Sequence, residues 1–411
     1  MIRNILRKFD SETNRETVVL LTYLIPFTFN PIYFVNALVR LDKRLVPKLS
    51  QELSGKIRKY LEEGLDPLTA LQRVSSEIRD NVVSRLIQNY VYVARHVGSA
   101  TLLSISFLEE ALESIRGQWK RYIDYMNLVT EVTVVLFMSS IIGVVLSLFN
   151  YQNTGYLSLI PITLVFTLIG SSIGYIYMHP WMGNFYQEFQ VNKEITALLY
   201  MVTLVVLSGI LAWPQLTLYF AASSIAVGFI VEYKSVNLEK RFKKFIDEIS
   251  SIMNNLEIGF PGTPEITGLV AKHGLYGRIG TLLTALSEGV TVAGETGLRG
   301  SFNRIVNIVQ ASYKSFRKYR GTIYTYITII LATLLVTLYT AHTLTGIGGK
   351  TLNGQQLNLQ RSVVEEINTL IQVASFIVPI ALGVSYRPRL PPLLYSGLSL
   401  LAANIVTVLF Q

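Results

Sequence analysis

The tetrapeptide Gly348-Gly349-Lys350-Thr351 is the first place where residue types and spacing could do chemistry, because Gly-rich turns ending in Lys-Thr cradle phosphates. That motif needs a Gly six residues before the Lys, between a strand and a helix. The position is Leu344, and no strand precedes it. The tetrapeptide reads as part of a flexible polar loop, residues 345–361. The four histidines, His96, His179, His273 and His342, have no second His or carboxylate at metal-ligand spacing on a shared helical face. Each reads as a surface or interface residue. No His-Glu-x-x-His pair occurs. The chain has no Cys, which excludes a disulfide framework and a thiolate metal site. These residues predict no catalytic site, no cofactor and no metal.

The elements that would position any function are helical and mostly apolar. Half of the 411 residues are hydrophobic, 15% are charged, and mean hydropathy is positive. That balance is expected of a polytopic membrane protein with sizeable water-exposed parts. The net charge of +9 is unevenly spread: outside residues 1–128 and 232–322, acidic and basic residues are equal in number. Residues 1–15 carry both signs of charge and precede no clean apolar core with a cleavage site, unlike a secretory signal.

Those two basic segments match each other in order. Leu61-Glu62-Glu63-Gly64 answers Leu256-Glu257-Ile258-Gly259, and His96-Val97-Gly98 answers Val292-Ala293-Gly294. Trp119-Lys120-Arg121-Tyr122 answers Phe316-Arg317-Lys318-Tyr319. The offset between copies grows by a single residue from each match to the next, which argues for a duplicated helical unit. Within the first copy, Leu49, Leu53, Ile57 and Leu61 share one helical face, Gly64 is placed to stop that helix, and Asp66-Pro67 to start the next. In the second, Phe242, Phe245, Ile246, Ile249, Met253 and Leu256 share a face. No strand-like alternation of any length occurs, so the expected fold is all-α. Its expected divisions are a first helical domain at 1–128, four spans at 129–231, a second helical domain at 232–322 and three spans at 323–411.

Seven spans are expected: 130–149, 157–178, 195–213, 216–231, 323–344, 367–385 and 393–410. Residues 17–39 are interrupted by Pro26, Asn30, Pro31 and Asn36 and read as a broken helical hairpin, not a span. No Asp, Glu, Lys or Arg falls at mid-depth of any span; Glu131 and Glu194 lie at span edges. The excess of Lys and Arg in the two large domains places both on the cytoplasmic side of the cell membrane. Lys120-Arg121 and Arg317-Lys318-Tyr319-Arg320 stand where those domains lead into spans, as anchors to anionic lipid and as part of a docking surface. Basic residues mixed with acids, with no stripe of stacking aromatics, do not fit nucleic-acid binding.

Paired helical modules leading into spans, with Leu-Glu-x-Gly turns ending at Gly64 and Gly259 and a Gly294-Glu295-Thr296-Gly297 turn before the last helix, resemble a known family. It is the integral-membrane platform protein of type II secretion, type IV pilus and archaellum machines, with its duplicated type II secretion system F domain. The resemblance covers about residues 47–135 and 239–345. The first copy of the Gly-Glu turn, Gly98-Ser99-Ala100-Thr101, lacks the Glu and the second Gly. Spans beyond the three of bacterial members resemble the archaeal type. The resemblance implies a non-enzymatic role: a cytoplasmic hexameric ATPase drives the platform, which extracts pilin subunits from the bilayer into a filament. A homodimer is the expected assembly, which the sequence itself does not fix. The alternative is a polytopic transporter or permease.

Overall fold

The computed structural model describes residues 19–21, 23–24, 27–28, 30–41, 46–78, 81–96, 101–149, 159–178, 192–258, 268–270, 272–275, 279–281, 283–284, 299–347, 361–384 and 390–410. Among these residues the chain is helical, without a strand. The helices are α1 (Pro31–Val39), α2 (Pro47–Glu62), α3 (Pro67–Glu77), α4 (Asn81–His96), α5 (Thr101–Phe149), α6 (Leu159–Ile173), α7 (Lys193–Ala212), α8 (Thr217–Ile258), α9 (Arg299–Ile347), α10 (Arg361–Val384) and α11 (Leu393–Phe410). The expected boundaries at 128, 231 and 322 fall inside the unbroken helices α5, α8 and α9. The chain packs as two compact units. Unit 1 takes Met1–Trp119, Pro180–Gln190 and Lys240–Lys314, and unit 2 takes Lys120–His179, Val191–Glu239 and Ser315–Gln411.

Unit 1 turns its apolar residues inward. Asn30 caps α1 by accepting from the Ile32 N–H at 2.8 Å, with Pro31 in the first turn, so the interruption at 30–31 is a helix start. Before it, Val19, Leu20, Leu21, Tyr23, Leu24 and Phe27 are buried. Helix α2 buries Leu49, Leu53 and Ile57, each contributing about 1.5–3 kcal/mol of transfer free energy. It ends as its sequence directs. Gly64 takes φ +86°, its N–H bonds the Leu61 carbonyl, and the Leu65 N–H bonds that of Tyr60. That is the paired closure of a left-handed C-terminal cap. Asp66 then accepts from the Thr69 N–H at 3.1 Å to start α3. Phe34 of α1 stacks on Tyr90 of α4, ring centroids 3.8 Å apart.

Unit 2 inverts that pattern. Thr163, Thr167, Gly170 and Ser171 of α6 face inward, while Ile162, Val165, Phe166 and Ile169 are exposed. Helix α10 packs against α6, α7 and α11 and is buried on nearly all sides from Ile367 to Gly383. Among the described residues, four helical stretches are long and apolar enough to cross a membrane: Leu159–Ile176, Lys193–Ala212, Pro214–Ile252 and Val309–Thr340. Ile367–Gly383 and Leu393–Val408 are shorter apolar helices. An exposed apolar belt over a polar-flecked interior is the pattern of a membrane protein.

Candidate functional site

Lys120-Arg121 and Arg317-Lys318 lie toward the middle of α5 and α9, helices of 49 residues each. Their sequences diverge, yet their burial keeps one register. Buried Trp119, Tyr122, Met126, Thr130, Thr133 and Phe137 answer buried Phe316, Tyr319, Ile323, Ile327, Ile330 and Leu334. Exposed Lys120, Arg121, Asp124, Leu128 and Glu131 answer exposed Arg317, Lys318, Gly321, Thr325 and Thr328. Like meets like where the helices touch: the rings of Tyr122 and Tyr319 lie edge-on, centroids 5.6 Å apart. Contact between equivalent positions is what a two-fold relation produces.

The basic clusters do not act as one. Lys120, Arg121, Arg317 and Lys318 are exposed and point charge outward, flanking buried aromatics. Arg320 departs from them. Its guanidinium bonds the carboxylate of Glu239 on α8, both side chains half-buried, and lies 6.0 Å from the centroid of the Tyr324 ring. An Arg fork held by a carboxylate and an aromatic face is a structural tie between helices. The residue in the same register on α5 is Ile123, which carries no charge. Nothing in the local sequence pairs residues 239 and 320.

Of the remaining singled-out residues, Gly64 occupies the left-handed cap described above. Glu257 lies in the last turn of α8, and Gly259, Gly294, Glu295 and Gly297 lie outside the described residues, as do Gly348 to Thr351 and His179. His96 is exposed. His273 is 9% exposed, with Nε2 2.9 Å from the Glu248 carboxylate and its ring edge-on to Phe245. Lys272 bonds the same carboxylate at 3.0 Å. Glu248 and His273 are far apart in sequence, and no spacing rule joins them.

The small residues split between two roles. Gly228 of α8 lies so near α11 that a Cβ added there would sit 2.1 Å from the Leu394 backbone nitrogen. Gly397 likewise faces the Ile225 backbone nitrogen and the Ala221 carbonyl. Gly170 meets Val129. Ser139, Ala222 and Ser223 are exposed. Among the described residues, no group of three or more His, Cys, Asp or Glu could hold a metal ion. Outward charge, buried aromatics and close helix crossings can bind surfaces and transmit displacement.

Comparison with protein-family models, with curated proteins and with solved structures finds no match to this chain.

Proposed function

We propose that this chain is the membrane platform of a type IV pilus-like filament assembly machine, of the archaeal type, with both basic segments in the cytoplasm. It receives force from a cytoplasmic hexameric ATPase and passes it to apolar helices that extract pilin subunits from the bilayer. One observation carries this reading: the repeat in sequence continues as a repeat in burial along α5 and α9, through the Tyr122–Tyr319 contact. A duplicated module that leads into the apolar helices twice by the same route fits a part that is pushed or turned from one side. The exposed Lys120, Arg121, Arg317 and Lys318 supply a docking surface at the point where each basic segment passes into its apolar helix, and anionic lipid shares that surface. Helices α5 and α9 run unbroken from basic segment into apolar stretch, and α8 from apolar stretch into basic segment, which fits transmission of displacement along a rigid element.

Deleting the gene should abolish a surface filament while pilin stays in the membrane. The full-length purified chain should bind an assembly ATPase, and the quadruple substitution Lys120→Glu, Arg121→Glu, Arg317→Glu, Lys318→Glu should weaken that binding at least tenfold. Normal filaments in the deletion strain sink the proposal. Uptake of a solute by liposomes holding only this protein supports the transporter instead.

A further inference from the structure

The interior of unit 2 holds an arrangement that force transfer does not use. Thr217 opens α8, Asn368 and Gln372 lie one turn apart in the first half of α10, and Asn404 lies in the second half of α11. Their exposures are 2%, 8%, 5% and 7%. A chain of hydrogen bonds fixes which way the amides point, and it starts at a backbone carbonyl, which can only accept. The Leu400 carbonyl lies 2.8 Å from one terminal atom of Asn404, so that atom is the donating Nδ2. The other, Oδ1, therefore faces the Thr217 hydroxyl at 2.6 Å and the Gln372 amide at 3.5 Å. The Thr217 hydroxyl also sits 2.8 Å from the Pro214 carbonyl, but its one proton must go to Asn404, or two bare oxygens would face each other at the shorter distance. Gln372 must present Nε2 to Asn404 for the same reason. Its Oε1 is thereby turned away, and no donor of the described chain reaches it. Asn368 Oδ1, one turn earlier, is also without a donor.

We propose that Asn368 and Gln372 form a binding site for a neutral hydrogen-bond donor, one or two internal water molecules. Two amide oxygens one helical turn apart have Cβ atoms about 5–6 Å from each other, so a molecule with two protons can serve both. A desolvated hard cation needs about six oxygens, and this pair offers two. An apolar occupant would leave both acceptors bare, which a buried site does not sustain. The hydrated node extends the Thr217–Asn404–Gln372 bonds, so α8, α10 and α11 are held by one polar network.

The direct test is an electron cryo-microscopy map of the full chain in lipid nanodiscs, at a resolution that shows ordered solvent. The expected result is a peak about 2.7–3.2 Å from Gln372 Oε1 or Asn368 Oδ1. Apolar side chains packed against both oxygens with no peak overturn the proposal. So does a peak ringed by five or more oxygens at about 2.3–2.6 Å, which would be a cation. Thermal unfolding gives an independent check. Asn368→Leu should melt at or below the temperature of the unaltered protein, whereas a higher melting temperature means that the oxygens were bare. Replacing sodium chloride with choline chloride should leave melting unchanged, and a fall overturns neutrality.

Discussion

Helix α2 buries Leu49, Leu53 and Ile57 and exposes Gln51, Arg58 and Lys59; helix α6 buries Thr163, Thr167, Gly170 and Ser171 and exposes Ile162, Val165, Phe166 and Ile169. Both are amphipathic, with opposite polarity. In α2 the stabilisation comes from removing apolar area from water. In α6 the apolar face gains nothing by turning inward, and contact rests on close approach and on bonds such as that between the Thr133 and Thr167 hydroxyls, 2.9 Å apart. The two regions therefore need different solvents on their outer faces, and substitutions of one chemical kind should have different outcomes in each.

The largest effect is expected in the water-type core. Phe34→Ala removes the ring stacked on Tyr90 and should cost about 3–5 kcal/mol, read as loss of protease resistance in residues 30–96. Next comes the substitution that separates the two solvents most cleanly. Ile169→Lys changes a residue that is 55% exposed, which at a water-facing surface would be nearly silent. In lipid it should cost about 2.5–3.5 kcal/mol and lower the yield of membrane-inserted protein. A silent Ile169→Lys would mean that the belt does not face lipid. Gly228→Ala drives a methyl into the α11 backbone and should cost roughly 1–3 kcal/mol, seen as a lower melting temperature in detergent. Gly64→Ala meets no neighbouring atom within 4 Å, so only the left-handed backbone is strained, at about 1 kcal/mol.

The smallest effect is electrostatic. The Tyr60 hydroxyl donates to the Glu77 carboxylate, with Lys56 3.4 Å away, and these hold the Glu77 carboxyl below the usual carboxylate range, the Tyr60 bond being the larger cause. A depressed folded-state pKa adds stability that is complete above the unfolded value of about 4.3 and is lost as pH falls through the lower folded value. Tyr60→Phe should therefore lower stability above about pH 4.3 and flatten the acid limb of the profile, the two proteins converging in acid, where Glu77 is protonated in both.

What could be read from sequence was whatever is decided within a few residues. Gly64, Asp66-Pro67 and Asn30-Pro31 act through backbone geometry and local bonds, and the structure uses each as its type requires. The buried face of Leu49, Leu53 and Ile57 follows from period alone, while Leu61, expected on the same face, is only half-buried at the helix end. The Glu239–Arg320 pair, the Glu248–His273 bond and the amides of α10 and α11 join residues far apart in the chain, and no local pattern announces them. Mid-span charge was the signal sought in the apolar helices. Asn368, Gln372 and Asn404 are polar without being charged and left that signal silent. The burial of α10 on all sides was also hidden, because a helix apolar all round looks the same whether lipid or protein surrounds it.

That enclosure of α10 bears on how the protein is made. Its neighbours α6 and α7 leave the ribosome first, and the faces they turn to α10 wait for a helix made later. Lipid must cover those faces in the meantime and be expelled when α10 arrives, joined by a short connection to α11, which closes over it. A nascent chain cut before residue 361 would leave the surfaces of α6 and α7 that α10 covers open to the bilayer.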